Sequence, residues 1–328
     1  MTGGAGFIGS HLTEELLNRR YRVTVIDDFS AGKMKNIEHL TKNPSLKVVR
    51  EDLRSPRQLA NIVARHDLIF HLAANPEVRV GETDPRVHFE ENVLWTFNLL
   101  EAVRLARTQK SLVFTSTSTV YGETSEIPTP EDHGPLLPIS TYGASKLASE
   151  VLIASYVHTF NHRALLLRLA NVIGPRSNHG VVYDFANKIL IDREELEILG
   201  DGTQEKSYLY ITDLIGAMMH LTEHCLENSG KTAIYNVGSK DKITVKEIAK
   251  TVAAEMGCSR IRHRFTGGVD GGRGWKGDVK NMQLSIQKLL DTGWKPKYSS
   301  KQAVKRAAHE LVRELRKDRA PSGRQESS

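Results

Sequence analysis

Two side chains capable of acid–base chemistry, Tyr142 and Lys146, stand four residues apart at the head of an apolar-periodic run, Leu147, Ala148, Val151, Leu152, Ala154 and Tyr156. The period is helical, so the phenol and the amine lie one turn apart on one face. A phenol with a reference pKa of about 10 is a poor base near neutrality, but an ammonium group held close favours its phenolate. Each unit of lowering corresponds to about 1.4 kcal/mol, so two or three units are within reach of one buried cation plus a positively charged ligand ring. The pair therefore suits proton transfer. The same spacing also arises on solvent-exposed helices, so its meaning depends on the elements around it.

The first of these is the glycine-rich stretch Thr2-Gly3-Gly4-Ala5-Gly6-Phe7-Ile8-Gly9, which leads into a periodic helix through Leu12, Leu16 and Leu17. The strand Tyr21–Ile26 and the acids Asp27 and Asp28 follow. A glycine turn at a helix start lets backbone amides approach a pyrophosphate, and the helix N-terminus favours its charge. An acid at the end of the next strand, about 20 residues on, can accept both ribose hydroxyls. Asp27 would also repel a 2′-phosphate, which favours NAD over NADP. A doubly wound sheet calls for an apolar strand of four or five residues before such a turn, yet here it is preceded by Met1 and Thr2. This predicts that the first strand is missing from the chain, with the true start upstream.

Alternating βα segments continue. Leu46–Arg50 reads as a strand followed by Glu51, Asp52 and Leu53, then a helix near residues 55–65. The strand 67–72 runs into Ala73 and Ala74, small residues that permit close approach of a ligand at a strand's carboxyl end. A helical pattern spans about 84–108. The strand Ser111–Thr115 ends in the hydroxyl cluster Ser116-Thr117-Ser118-Thr119, which is either turn chemistry or a means of orienting a substrate hydroxyl. The proline-containing stretch 123–138 is expected to be a loop covering the site. Beyond the strand 164–169 and Ala170-Asn171 the alternation fails. There follow a turn at 200–202, short strands near 207–210 and 233–237, helices at 213–226 and 245–256, a glycine-rich loop at 267–277, and a closing helix at 302–315.

Composition bounds the function class. The 328 residues are 39% apolar and 26% charged, as in an ordinary globular protein. No run reaches the roughly 18 apolar residues that span a bilayer, and no basic-then-apolar leader is present. Cys225 and Cys258 make neither a disulfide framework nor a cysteine metal site, which suits a reducing cytoplasm. The net charge of +6 is spread along the chain except for the stretch 305–324, and an anionic small substrate accounts for it without nucleic acid.

With these residues in place, the chain resembles the extended short-chain dehydrogenase/reductase family, in its nucleotide-sugar epimerase/dehydratase branch. The likeness runs from the glycine turn through His71–Ala74, Asn92-Val93, Thr117–Gly122, Tyr142–Lys146, Arg168–Asn171, Gly200–Gln204 and Gly277–Val279 to Gly293-Trp294. It implies an α/β fold, a doubly wound parallel sheet of the Rossmann type, with a smaller C-terminal α/β substrate-binding region. The expected division is an NAD-binding domain at 1–171, a substrate region at 172–318 from which segments can return to the first domain, and a disordered tail at 319–328. By resemblance, Gly3, Gly6, Phe7, Ile8 and Gly9 hold the NAD pyrophosphate. Asp27 and the following turn, Asp28, Phe29, Ser30 and Gly32, hold the adenosine ribose. Asp52 and Leu53 flank the adenine, and Leu72, Ala73, Ala74, Asn92 and Ala170 line the nicotinamide side. Thr117, Tyr142 and Lys146 form the catalytic set, and Lys146 also binds the nicotinamide ribose. Asn171, Val181, Leu199, Lys206 and Asp278 contact the substrate, and no metal is needed.

The reaction so implied is UDP-glucose/UDP-galactose interconversion through a 4-keto sugar. The alternatives are an epimerase or dehydratase of another nucleotide sugar (UDP-glucuronate, UDP-N-acetylglucosamine or a dTDP-hexose) and a non-catalytic NAD-binding scaffold. Dehydratases and decarboxylases of the branch carry acids just after the catalytic Thr, where this chain has Ser118 and Thr119, which argues for epimerisation. Lys206 stands where an arginine is usual, and Trp275 where another is common, with Arg273 near enough to substitute. Met282 falls near the position that limits bulk at the sugar's C2. A homodimer is expected through the helices near 84–108 and 142–160, with Trp95, Leu99, Leu152 and Tyr156 either in an apolar seam or against the sheet.

Overall fold

The computed structural model describes residues 1–226 and 230–319, with side chains to 315. The 319–328 tail expectation lies, apart from Arg319, outside the described residues. In chain order the main elements are α1 (Phe7–Asn18), β1 (Val23–Asp27), β2 (Leu46–Arg50), α2 (Pro56–Val63), β3 (Leu68–His71), α3 (Trp95–Leu105), β4 (Ser111–Thr117), α4 (Thr141–Phe160) and β5 (Arg163–Leu169). They continue as β6 (Asn171–Ile173), α5 (Val181–Ile191), β7 (Glu195–Ile198), β8 (Glu205–Lys206), β9 (Tyr208–Tyr210), α6 (Ile211–His224) and β10 (Thr232–Val237). Last come β11 (Ile243–Thr244), α7 (Val245–Glu255), β12 (Arg262–Phe265), β13 (Asn281–Met282) and α8 (Ser300–Arg319).

A Rossmann-type parallel sheet forms the larger layer. β3, β4, β5 and β10 are neighbours in that order, and β1 pairs with β2. Thr2 joins these two groups, bridging in parallel to Ile26 and to His71. Its amide donates to the Phe70 carbonyl at 3.0 Å, and the Ile26 amide donates to the Met1 carbonyl at 2.8 Å. Met1 and Thr2 thus occupy the position between β1 and β3 that the pattern reserves for a central strand. β4 and β5 bury nearly every residue, as a parallel strand covered on both faces must. β10 lies far along the chain but returns to this sheet in register with β5, Thr232 opposite Ala164.

The smaller C-terminal α/β region is built from short pairings. β6 runs parallel to β9, β8 lies between β11 and β13, and β12 pairs with β7. The helical pattern expected over 84–108 breaks into three pieces, a turn at Arg86–His88, a π-helical stretch Phe89–Leu94, and α3. Leu99 is buried against the sheet, so it belongs to the core and not to an exposed seam. No helix among the described residues is long and apolar enough to cross a membrane.

Candidate active site

One continuous cleft of about 690 Å³ runs across the carboxyl ends of the parallel strands and under the C-terminal region, where open α/β sheets place their ligands. Its floor starts at the glycine turn. α1 has no side-chain cap at Gly6, so its first-turn amides face the cleft unoccupied by protein. A Cβ on Gly9 would lie 2.0 Å from the Gly3 carbonyl oxygen and one on Gly3 2.7 Å from the Ala73 nitrogen, the latter at φ +69°. Only glycine allows this closeness. The Asp27 carboxylate accepts the amides of Ala5 (2.8 Å) and Phe29 (2.9 Å), which leaves each oxygen one further acceptor site. Burial pushes its acidity down, and these two amides oppose that. Asp28, Ser30, Gly32, Asp52, Leu53, Leu72, Ala73, Ala74 and Ala170 line the same cleft. These residues fit a dinucleotide, with amides for phosphate and a carboxylate for ribose.

Two expected cofactor residues do not line it. Phe29 turns from the cleft, with the Arg50 guanidinium 5.9 Å from its ring centre. Asn92 is buried behind the wall, where it accepts the Asn75 amide at 2.7 Å and donates to Ser145 Oγ at 2.9 Å. Both lie where the resemblance gives them a ligand, but their side chains are spent on the protein.

The acid–base residues converge. β4 ends at Thr117, whose hydroxyl stands near enough to that of Tyr142, on the first turn of α4, to favour its ionised form. Thr117 Oγ1 also accepts the Thr119 amide at 3.2 Å and lies 3.1 Å from Thr119 Oγ1. α4 begins where Ser140 Oγ accepts the Gly143 amide. One turn past Tyr142, Lys146 is buried, with its ammonium 4.5 Å from the Phe114 ring centre. Burial pushes the Tyr142 phenol up to about 12, with the Thr117 hydroxyl pulling the other way. Burial also brings the Lys146 ammonium down to about 7, against the pull of Glu150. The expected lowering of Tyr142 by its lysine is therefore not a property of the protein alone, because desolvation dominates.

The substrate half of the cleft contains every residue expected there, Asn171, Val181, Leu199, Lys206 and Asp278 beside Thr117 and Tyr142. Lys206 is ion-paired to Asp278 at 2.5 Å. Trp275 lies in the cleft with the cations of Lys206 and Arg79 5.6 and 5.8 Å from its ring centre. Arg273 does not substitute for a missing arginine. It is outside the cleft, bonded to Glu123 and to the Asp270 carbonyl. Nor does the 123–138 loop cover the site. Its Thr129 pairs with Gln283 and Ser285, and its Glu131 accepts the Asn236 amide.

Residues to which the sequence reading gave no role in the site also line the cleft, among them Glu77, Arg79, His179, Gln204 and Tyr208. Tyr208 was legible as a strand residue, and its place opposite Asn171 follows from the β6–β9 register. Among the described residues, three buried side-chain atoms that line the cleft lack any partner, Ser116 Oγ, Gln204 Oε1 and Trp275 Nε1. Unpaired buried polar atoms are costly, and a polar ligand would satisfy them.

Comparison with known proteins agrees with this geometry. The family model described as GDP-mannose 4,6 dehydratase matches residues 1–307. A crystal structure of a UDP-galactose 4-epimerase is 42% identical over 96% of this chain and 98% of its own, with a TM-score of 0.84. The UDP-glucuronic acid 4-epimerase of Bacillus cereus, solved with UDP-glucuronic acid and NAD, is 30% identical over 95% and 98%, with a TM-score of 0.84. UDP-glucuronic acid decarboxylase 2 of Arabidopsis thaliana is 31% identical over 93% of this chain and 66% of that one. The chain belongs to the NAD-dependent epimerase/dehydratase family of extended short-chain dehydrogenases/reductases. It is an enzyme of nucleotide-sugar chemistry, and NAD is its cofactor.

Proposed function

We propose that the protein epimerises a neutral UDP-hexose at C4, interconverting UDP-glucose and UDP-galactose. The observation that carries this reading is the Thr117–Tyr142 hydroxyl pair, with Lys146 one turn on, in the same cleft as the Lys206–Asp278 pair. When bound, NAD supplies the acceptor and later the donor of a hydride. Tyr142 Oη takes the proton from the sugar 4-hydroxyl and gives one back, and Thr117 Oγ1 orients that oxygen. Lys146 and the positively charged ring of the bound cofactor would together supply the charge that offsets burial and makes the phenolate accessible. Asn171, Leu199, Lys206 and Asp278 keep the nucleotide end fixed while the keto sugar turns over, holding the carbon at reacting distance. Ser118 and Thr119 offer no carboxyl group for eliminating water, and Thr119 is occupied with Thr117.

The charges favour a neutral sugar. Arg79 is forked onto Glu77 at 2.9 and 3.1 Å and stands 3.8 Å from Asp184, so two carboxylates outnumber the cation on that wall. A hexuronate would add a third negative group. The decisive measurement is incubation of the NAD-loaded protein with UDP-galactose, UDP-glucuronate, UDP-N-acetylgalactosamine and dTDP-glucose, with NMR of the products. Formation of UDP-glucose fastest of all supports the proposal. UDP-galacturonate as the fastest product, a UDP-pentose formed with release of carbon dioxide, or a 4-keto-6-deoxy sugar would each replace it with another reading.

The expected division into an NAD-binding part at 1–171 and a substrate part beyond it, with β10 returning to the first sheet, belongs to the same proposal. So does a homodimer formed by α3 and α4. On and just before these helices Leu94, Phe97 and Phe160 are each 39% exposed and Val151 is 62% exposed, apolar side chains that a second copy would cover.

A further inference from the structure

His88 is almost completely buried, yet lies outside both the glycine turn and the Thr117–Tyr142–Lys146 set. Its Nε2 is 3.0 Å from the Glu77 carbonyl oxygen and its Nδ1 is 2.8 Å from Thr141 Oγ1. A carbonyl can only accept, so Nε2 carries the hydrogen and Nδ1 accepts from the Thr141 hydroxyl. The ring also meets that of Tyr142 edge-on, with centres 5.7 Å apart. One imidazole thus grips the residue before Tyr142, the Tyr142 ring itself, and the cleft wall at Glu77. Gly81 closes the front of this arrangement, since a Cβ there would lie 2.0 Å from Thr141 Oγ1 and 3.0 Å from the imidazole.

The π-helical stretch that begins one residue later repeats the design. Asn92 ties Asn75, on the same wall, to Ser145, one turn along α4. Such wide turns within helices recur at functional sites. We propose that His88 is a positioning residue that fixes the first turn of α4 against the sugar-side wall, and so sets the reach of the Tyr142 hydroxyl. The wall segment continues through Arg79 to Trp275 and Asp184, so His88 joins the cleft lining on that side to the first turn of α4. The inference rests on the epimerase reading for its kinetic consequence, though not for its geometry.

The groups facing the imidazole are the Glu77 and Glu91 carboxylates, which favour its protonation, and burial, which outweighs them and holds it below the ordinary histidine range. Protonation at Nδ1 turns the acceptor into a donor, and the Thr141 hydroxyl must then release or reverse its bond. The test uses the NAD-loaded protein and the substitutions His88→Leu, His88→Gln and Thr141→Val. Thr141 is exposed, so its variant folds even where the buried leucine does not. The expected result is a fall in kcat of tenfold or more in Thr141→Val and His88→Leu, with KM within twofold. His88→Gln, which can still donate and accept, should recover most of kcat and lose the acid limb that protonation of the imidazole gives the wild-type profile. Hydrogen exchange at Gly143 and Ala144 should speed up about tenfold in Thr141→Val, a readout independent of substrate. Wild-type kcat and exchange in Thr141→Val, or an unchanged acid limb in His88→Gln, would overturn the proposal. A wild type that turns over no nucleotide sugar but shows the exchange change would sink the epimerase reading alone.

Discussion

The Lys146 ammonium and the Glu150 carboxylate lie one helical turn apart, both buried, and Glu150 is itself held in a fork by Arg168 at 2.8 to 3.2 Å. The lysine thus has a distant, already partnered counter-charge on one side and the Phe114 ring on the other. Its charge is held at the expense of stability.

The pH dependence follows from the sign. Lys146 drops from its ordinary 10.5 to about 7 on folding, so between those values the unfolded chain binds the extra proton and stability rises with pH. Below pH 7 the buried charge carries its full cost, of the order of a few kcal/mol at about 1.4 kcal/mol per unit. Lys146→Met should therefore melt several degrees higher than wild type at pH 6, with the gain shrinking toward pH 10, while losing turnover. Calorimetry of the NAD-free proteins across that range checks this, and a gain that grows with pH would reverse the argument.

Tyr142→Phe should retain NAD and lose 10²-fold or more of epimerisation, the usual scale for a positioned proton-transfer group. In the NAD-free protein the Tyr142 phenol is pushed up to about 12. Difference absorbance at 295 nm between wild type and Tyr142→Phe should accordingly show no phenolate from this residue below pH 10. A titration near neutrality would mean that burial is not in control.

Gly9→Ala places a methyl group 2.0 Å from the Gly3 carbonyl oxygen and against Gly4. The turn must open, and its amides lose their common direction. NAD affinity should fall by tenfold or more, measured by calorimetric titration, with a loss of thermal stability as well. Retained affinity would show that the pyrophosphate is held elsewhere.

The exposed apolar side chains on α3 and α4 give a test of assembly. Phe97 meets Tyr156 edge-on at 6.2 Å, Tyr156 meets Phe160 at 5.2 Å, and Val151 is exposed elsewhere on α4. Wild type should sediment as a dimer and Val151→Glu combined with Phe97→Glu as a monomer. A monomeric wild type at tens of micromolar would refute this.

The parts legible in the sequence are those with a long repeating pattern or a rigid chemical requirement. α4 announces itself through its apolar period, and the glycine turn through spacing that no other residue tolerates. The sheet strands β4 and β5 read as apolar runs because both faces are covered. β8, β11 and β13 are two residues each, too short for any period, and their partners lie 37 or more positions away. Arg273 was placed by proximity in sequence to Trp275. The loop carries Gly271 and Gly272 at φ +83° and +92°, and these turn its guanidinium outward to Glu123. His88 gave no signal, and Asn92 is read there as a cofactor residue, because their partners come from two distant segments, 75–77 and 141–145, and the pattern does not show where the helical turn widens.

The junction between β5 and β6 has a kinetic meaning. A single residue, Ala170, separates β5 of the Rossmann sheet from β6, a strand that pairs with β9, and Arg19, just after α1, is ion-paired to Glu223 on α6. A crossing this short gives little room for a hinge at this point, which leaves side chains of the cleft lining, Arg79 and Trp275 among them, as the parts whose motion would time the exchange of reactants.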